Sequence, residues 1–98
     1  MEIGKVTGTI VATQKDESMK GFKLLVVQVL DPVDLSEKPL RLVAVDIVDA
    51  GIGDVVLLVR GSSSRVTTGL KGRPIDASII GIIDEVVIDG ESLFVKGA

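Results

Sequence analysis

The chain has 98 residues, a formal net charge of −3, no cysteine and no histidine. The lack of cysteine excludes disulfides and thiolate metal sites, and the lack of histidine removes the usual general base. A negative net charge and only two aromatic residues disfavour a nucleic-acid partner. We therefore expect a single domain over 1–98 that is not an enzyme, with no catalytic, cofactor-binding or metal-binding residue and no nucleic-acid partner.

The apolar residues are mostly Val, Ile and Leu, since hydrophobic residues make up 46% of the chain and aromatic residues 2%. The longest apolar runs are far shorter than the roughly 20 residues of a membrane span, and no signal peptide is visible. We expect a soluble, cytoplasmic protein with no membrane partner. The aliphatic surplus suggests apolar surface covered by other subunits, and the alternative is a core of many short strands.

The first half of the chain has the pattern of strands. Lys5–Thr13 alternates apolar and polar residues, which predicts a half-buried strand. Lys23–Asp31 is more continuously apolar, which predicts a strand covered on both faces. A turn begins at Asp31-Pro32, Pro39 is expected to end the next loop, and Arg41–Val48 is the third predicted strand.

The second half continues the pattern. Asp54–Arg60 is the fourth predicted strand, and a single helical turn is expected next, with Ser62 as its N-cap. Ala77–Asp89 is predicted as one long strand with a bend or bulge at Gly81. Asp89-Gly90 is a strong hairpin signal. Five or six short strands favour an all-β, small five-stranded OB-like barrel, because closure removes sheet edges, with a sandwich as the second choice.

The serine cluster after the fourth strand has three possible chemistries. A serine nucleophile needs a base, and without histidine only a Ser–Lys pair with Lys71 remains, which we disfavour. A phosphate cradle is better supported, because no acidic residue occurs over Val55–Ile75 and four cations do: Arg60, Arg65, Lys71 and Arg73. No Walker pattern accompanies them, and the third possibility is a subunit interface.

The acidic residues have a simpler interpretation. Five aspartates are spaced like no EF-hand loop, and turn formation explains them better than calcium binding: Asp46, Asp49, Asp54, Asp76 and Asp84. The Gly-x-Gly of the turn DAGIGD lacks the third glycine of a dinucleotide site, and a backbone turn with positive φ explains it.

Three blocks, KVTGTIVATQK, VDIVDAGIGDVVLLVRGSSSR and RPIDASIIGIIDEV, occur in this order over nearly the whole chain. With these blocks the chain resembles the EutN/CcmL family of pentameric vertex proteins of bacterial microcompartment shells. It departs from the family at Ser64, where alanine is most frequent before the arginine. The middle and last blocks look closer to the catabolic branch of the family than to the carboxysome branch.

The resemblance implies a non-catalytic shell protein that assembles as a cyclic pentamer and contacts hexameric and trimeric shell tiles. It also implies that the segment after the fourth strand lies at the subunit interface or pore, with these residues: Gly61, Ser62, Ser63, Ser64, Arg65, Asp76 and Asp84. Lys71 and Arg73 are predicted to form an anion-attracting loop. The alternative function is an OB-type binding module for nucleic acid or another anionic ligand.

Overall fold

The computed structural model describes residues 1–12, 21–61 and 76–97. Seven strands and no helix occur in these residues. The strands are β1 (Glu2–Ile10), β2 (Lys23–Leu30), β3 (Glu37–Asp46), β4 (Val55–Arg60), β5 (Ala77–Ile82), β6 (Glu85–Ile88) and β7 (Glu91–Val95). The helical turn predicted to begin at Ser62 lies outside the described residues.

Five strands form a closed barrel in the order β1-β2-β3-β5-β4, and β6 and β7 form a separate two-stranded sheet. All pairs in the barrel are antiparallel except β3 with β5, which pair in parallel at Val45↔Ser78 and Asp46↔Ile79. The prediction of an all-β, five-stranded barrel is therefore confirmed, and a sandwich is excluded.

The core fills the inside of the barrel with small and aliphatic side chains. It consists of Val6, Leu25, Val27, Ala44, Ala50, Val56, Leu58, Ala77 and Ile79. Strand β2 is also covered on its outer side near its end, because Gln28 and Leu30 are only 4% and 7% exposed. The prediction that this strand is covered on both faces is confirmed for its second half.

Several predicted strand boundaries were wrong. The third strand runs over Glu37–Asp46, not over Arg41–Val48. The first strand begins three residues earlier than predicted, because Glu2 and Ile3 pair with Leu58 and Leu57 of β4. The predicted long strand Ala77–Asp89 is two strands. Its first part pairs with β4 inside the barrel and its second part pairs with β7 outside it, so the chain changes sheets between them.

The bulge and the hairpin turn predicted near the end of the chain are both confirmed. In the β4–β5 register Leu57 pairs with Gly81 and Leu58 with Ile79, which leaves Ile80 as the extra residue. Asp89 and Gly90 have φ angles of +53° and +77°, as the two central residues of a type I′ hairpin turn require.

The expectation that Pro39 ends a loop was wrong, because Pro39 lies inside β3. The β2–β3 register shifts there, between Gln28↔Arg41 and Leu30↔Glu37. The Gln28 amide bridges the irregularity. Its Nε2 lies 2.6 Å from the Lys38 carbonyl oxygen and 3.1 Å from that of Leu40, and its Oε1 accepts a 2.9 Å hydrogen bond from Arg41 Nε. A buried amide thus supplies hydrogen bonds to β3 where the regular ladder is interrupted.

Candidate functional site

The predicted interface segment leaves and re-enters the barrel at one point. Arg60, the last residue of β4, pairs with Ala77, the first residue of β5. The Gly61 N–H then donates a 2.7 Å hydrogen bond to the Asp76 carbonyl oxygen. Two predicted site residues that are 15 positions apart in sequence are therefore in direct contact, and they close the base of the 62–75 excursion.

The remaining residues of that excursion lie outside the described part of the chain. They are Ser62, Ser63, Ser64, Arg65, Lys71 and Arg73, so their roles stay predictions. Gly61 itself has φ +70°, and a Cβ built there would meet no atom of residues 1–12, 21–61 and 76–97 within 4 Å. The positive φ angle, and not a lack of space for a side chain, therefore favours glycine at this position.

Asp84 does not join this group within one copy of the chain. It follows β5, whereas Asp76 precedes it, so the six residues of β5 separate the two aspartates. Six residues in a strand span about 20 Å. The Asp84 carbonyl oxygen instead accepts a 2.8 Å hydrogen bond from the Lys96 N–H, which closes the base of the β6–β7 hairpin.

One of the four cations in the acid-free stretch is neutralised by a partner distant in sequence. Arg60 Nε lies 2.6 Å from Glu2 Oε2, and Arg60 Nη2 lies 2.7 Å from Glu2 Oε1. Such a two-pronged pair is the strongest geometry an arginine–carboxylate contact has. The predicted local excess of four positive charges is therefore smaller by one. Sequence reasoning missed the pair because 58 positions separate the two residues.

Asp46 organises the turn after β3, and its side chain is fully buried. Its Oδ1 accepts a hydrogen bond from Val48 N at 3.0 Å, and its Oδ2 accepts one from Ala50 N at 2.7 Å. Lys23 Nζ lies 3.4 Å from Asp46 Oδ2 and 3.2 Å from Asp49 Oδ1. The hydrogen bond to Asp49 raises the pKa of the Lys23 ammonium, and Asp46 acts in the same direction.

Asp54 closes the same turn by accepting a 2.9 Å hydrogen bond from Gly51 N on its Oδ2. Gly53, with φ +92°, supplies the positive backbone angle expected in DAGIGD. The carboxylates of Asp46 and Asp54 therefore act as turn formers. In the described ranges no group of three His, Cys, Asp or Glu side chains is arranged to hold a metal ion.

Both aromatic side chains are described, and both are half-buried. Phe22 directly precedes β2, and Phe94 lies in β7 and lines a cavity together with residues of the barrel. An OB-type nucleic-acid site presents exposed aromatic rings on which bases stack. Neither phenylalanine is exposed in this way. No helix in 1–12, 21–61 and 76–97 is long and apolar enough to cross a membrane.

The surface of the described residues carries many exposed aliphatic side chains. They include Val11, Val33, Val43, Ile47, Ile52, Val87, Leu93 and Val95. An apolar groove of about 340 Å³ lies on the outside of the barrel, lined by Met1, Glu2, Ile3, Leu30, Pro32, Lys38 and Leu57. The aliphatic surplus of the sequence is therefore partly on the surface, and the many-stranded core alone does not account for it.

The family model described as "Ethanolamine utilisation protein EutN/carboxysome" matches residues 1–84. The carboxysome shell vertex protein CcmL of Gloeobacter violaceus is 45% identical over 96 residues, which cover 98% of this chain and 95% of that protein. The solved structure of Gloeobacter violaceus CcmL has a TM-score of 0.91 to this chain, at 44% identity, and the match covers 100% of both chains.

Two further relatives extend the similarity. The bacterial microcompartment shell vertex protein EutN of Escherichia coli is 41% identical over 96 residues, covering 98% of this chain and 100% of that protein. The structure of GrpN, a pentameric microcompartment shell protein from Rhodospirillum rubrum, has a TM-score of 0.79 and 43% identity, covering 90% of this chain and 98% of that one. Identities of 45% to CcmL and 41% to EutN give no support to the predicted catabolic branch.

Proposed function

The chain belongs to the EutN/CcmL family, and we propose that it is a structural protein that forms the pentameric vertices of a bacterial microcompartment shell. The observation that carries the proposal is the match to CcmL, a shell vertex protein, with a TM-score of 0.91 over the full length of both chains. The GrpN relative, whose structure is that of a pentameric shell protein, supports five copies in the ring. The protein has no chemistry of its own in this proposal.

The geometry of a closed shell gives this role its physical reason. A flat layer of sixfold tiles does not curve into a closed body, and fivefold units at the corners supply the curvature. Each subunit in such a ring presents two different surfaces, one to each neighbour, and the rotation must close. The proposed partners are therefore four further copies of the chain and the hexameric and trimeric tiles of the shell.

Native mass spectrometry at near-physiological salt tests the ring. The expected result is a species with five times the subunit mass of 10.3 kDa, stable on dilution. A persistent monomer would overturn the proposal.

Co-expression with hexameric shell tiles tests the vertex role separately from the ring. We expect closed particles when the wild-type chain is present and open sheets or tubes when it is omitted, as seen by negative-stain electron microscopy. If closed particles form equally well without the chain, it is not the vertex. The Glu37→Gln variant is a suitable matched control, because Glu37 is exposed and has no ion pair among the described residues.

We further propose that Gly61, Ser62, Ser63, Ser64, Arg65, Asp76 and Asp84 lie at the subunit interface or around the fivefold axis. The support is the family resemblance of the GSSSR block, together with the contact between Gly61 and Asp76 at its base. Arg65 has a forked donor group that suits a carboxylate of a neighbouring copy. The Arg65→Glu variant should lose the pentameric species, and Arg65→Lys should retain part of it. Unchanged mass and melting temperature in Arg65→Glu would contradict this assignment.

Lys71 and Arg73 are proposed to attract anions to the same end of the subunit. The stretch Val55–Ile75 contains no acidic residue and four cations, of which Arg60 pairs with Glu2. Sulfate titration followed by NMR should show shifts in the wild-type chain that are lost in the Lys71→Gln/Arg73→Gln double variant. Equal sulfate-induced shifts in the wild-type chain and the double variant would contradict the proposal.

A further inference from the structure

We infer that the β6–β7 hairpin of one copy docks into the apolar groove on the barrel of the neighbouring copy. The inference rests on the proposed pentamer and names the two surfaces that would join its subunits. The outer groove is lined by Met1, Glu2, Ile3, Leu30, Pro32, Lys38 and Leu57.

The hairpin has two faces in different environments. Val86 and Phe94 are paired across the two strands and are half-buried, as is Ile88. Phe94 and Leu93 line a cavity together with residues of the chain's own barrel, among them Lys5 and Val55. This inner face is therefore partly covered by its own subunit.

The opposite face of the hairpin is exposed and carries two valines. Glu85 pairs with Val95 and Val87 with Ser92, and the Ser92 hydroxyl donates a 3.3 Å hydrogen bond to Glu85 Oε2, which places these four side chains on one side. Val87 is 55% exposed and Val95 is 46% exposed. A two-stranded hairpin is only marginally stable by itself, so exposed valines on its outer face favour a covering partner.

The groove offers an apolar surface on the outside of the barrel. Ile3 of β1 is paired with Leu30 of β2 on one side and with Leu57 of β4 on the other. These three side chains therefore lie in a row across neighbouring strands. Pro32 and Met1 extend the row, and Met1 is 81% exposed.

The charges of the two surfaces are complementary. The hairpin and its base carry four carboxylates, Asp84, Glu85, Asp89 and Glu91, against one cation, Lys96, which is a net charge of −3. Among the groove residues, Glu2 is neutralised by Arg60, and Lys38 has no carboxylate within 4.0 Å in the described part of the chain. The groove therefore presents an unneutralised cation to an acidic hairpin.

These features identify a second copy of the chain as the occupant. The hairpin and the groove are different surfaces of the same subunit, so their contact is head-to-tail and can repeat around an axis until the ring closes. Each subunit would then contribute its hairpin to one neighbour and its groove to the other. The same contact accounts for the exposed valines and for the unneutralised Lys38.

Single substitutions followed by native mass spectrometry provide the first test. Val87→Asp on the hairpin and Leu57→Asp in the groove should each convert the pentameric ring to the free 10.3 kDa subunit, because each places a carboxylate in the apolar contact. Ile52→Asp, at a side chain that is 68% exposed in a turn outside both surfaces, is the matched control and should keep the ring. Circular dichroism establishes that each variant is folded. Folded Val87→Asp and Leu57→Asp variants that remain pentameric would overturn the inference and leave the proposed function intact.

A mixture of the two monomeric variants gives a sharper readout. Leu57→Asp subunits retain an intact hairpin and Val87→Asp subunits retain an intact groove, so one productive contact is possible between unlike subunits and none between like ones. The mixture should form a 1:1 pair, with twice the subunit mass of 10.3 kDa, at high protein concentration. No pair formation would contradict the hairpin–groove contact.

Disulfide trapping requires no disruptive substitution, because the native chain has no cysteine. The double variants Val87→Cys/Pro32→Cys and Val87→Cys/Lys38→Cys place one thiol on each surface. Oxidation should produce a ladder of linked subunits on non-reducing gels for at least one of these pairs, while Val87→Cys/Ile52→Cys should give none. A ring that forms but yields no ladder from either pair would assign the groove to another partner. A wild-type chain that stays monomeric would instead contradict the proposed function itself.

Discussion

Arg60 at the end of β4 and Glu2 at the start of β1 form a two-pronged ion pair, with Nε–Oε2 and Nη2–Oε1 distances of 2.6 Å and 2.7 Å. Glu2 pairs with Leu58 in the β1–β4 register, so the two charged residues are diagonal neighbours on adjacent strands. The pair joins the beginning of the barrel to the strand that leads into the proposed interface segment. It also removes Arg60 from the cations available to an anion.

Removing this pair should cost a small, salt-dependent amount of stability. Arg60 is 47% exposed and Glu2 is 22% exposed, so water and salt screen the attraction. We expect Glu2→Gln to lower the free energy of unfolding by about 0.5–1 kcal/mol at low salt and by less at high salt. Urea denaturation at the two salt concentrations measures this. Glu37→Gln, at an exposed carboxylate with no described ion pair, is the control and should show neither effect.

A side chain at Gly4 should destabilise the barrel. A Cβ at this position would lie 2.3 Å from Val27 Cγ1 and 3.1 Å from the Gln28 carbonyl oxygen, so strand or core atoms must move. Overpacking of this kind costs about 1–3 kcal/mol, and Gly4→Ala should lower the melting temperature accordingly. Gly8→Ala in the same strand is the matched control, because its Cβ would lie no closer than 3.6 Å to Val26. Equal losses in the two variants would contradict the steric explanation.

The buried amide of Gln28 should contribute more to stability through all its hydrogen bonds than through its bond to Arg41 alone. Gln28→Met keeps a similar side-chain volume but removes the donor that serves the carbonyl oxygens of Lys38 and Leu40. Leaving these part-buried carbonyl groups without a donor costs at most about 1–3 kcal/mol, the cost for a fully buried group. Arg41→Met removes only the 2.9 Å bond to Oε1 and should cost less. Thermal unfolding of both variants measures the two losses of stability. A larger loss in Arg41→Met than in Gln28→Met would argue against the bridging role of the Gln28 amide.

Stability should fall at alkaline pH as Lys23 loses its proton. The folded-state pKa of Lys23 is raised above the ordinary value of 10.5, chiefly by its hydrogen bond to Asp49. A raised pKa means that its contribution is fully present below the unfolded value and is lost as pH rises through the folded one. Wild-type chain should therefore lose more stability than Lys23→Met between pH 10 and pH 12, in urea denaturation at each pH, a window set around that 10.5 value.

Asp49→Asn separates this effect from general alkaline unfolding. The variant keeps the lysine but removes the largest cause of its raised pKa, so its stability should begin to fall at a lower pH than that of the wild-type chain. If stability falls with pH in parallel for the wild-type chain, Lys23→Met and Asp49→Asn, the contacts of Lys23 with Asp46 and Asp49 have no role in alkaline unfolding.

Local signals were sufficient for several parts of the structure. The Asp89-Gly90 turn, the bulge beside Gly81 and the strand identity of Lys23–Leu30 were all predicted, because residue conformation and side-chain alternation are properties of short stretches. The family was also predicted from the sequence blocks, and the match to residues 1–84 confirms it.

The sequence by itself determined an all-β barrel, because period-two patterning and turn residues act over a few positions, and its three blocks identified the EutN/CcmL family by resemblance. Only the tertiary structure decided which distant residues meet. It joined Glu2 to Arg60, placed Gln28 across the irregularity at Pro39, and divided the predicted strand Ala77–Asp89 between the barrel and a separate hairpin. Such contacts depend on strand order and register, which a closed barrel fixes only when all five strands have paired.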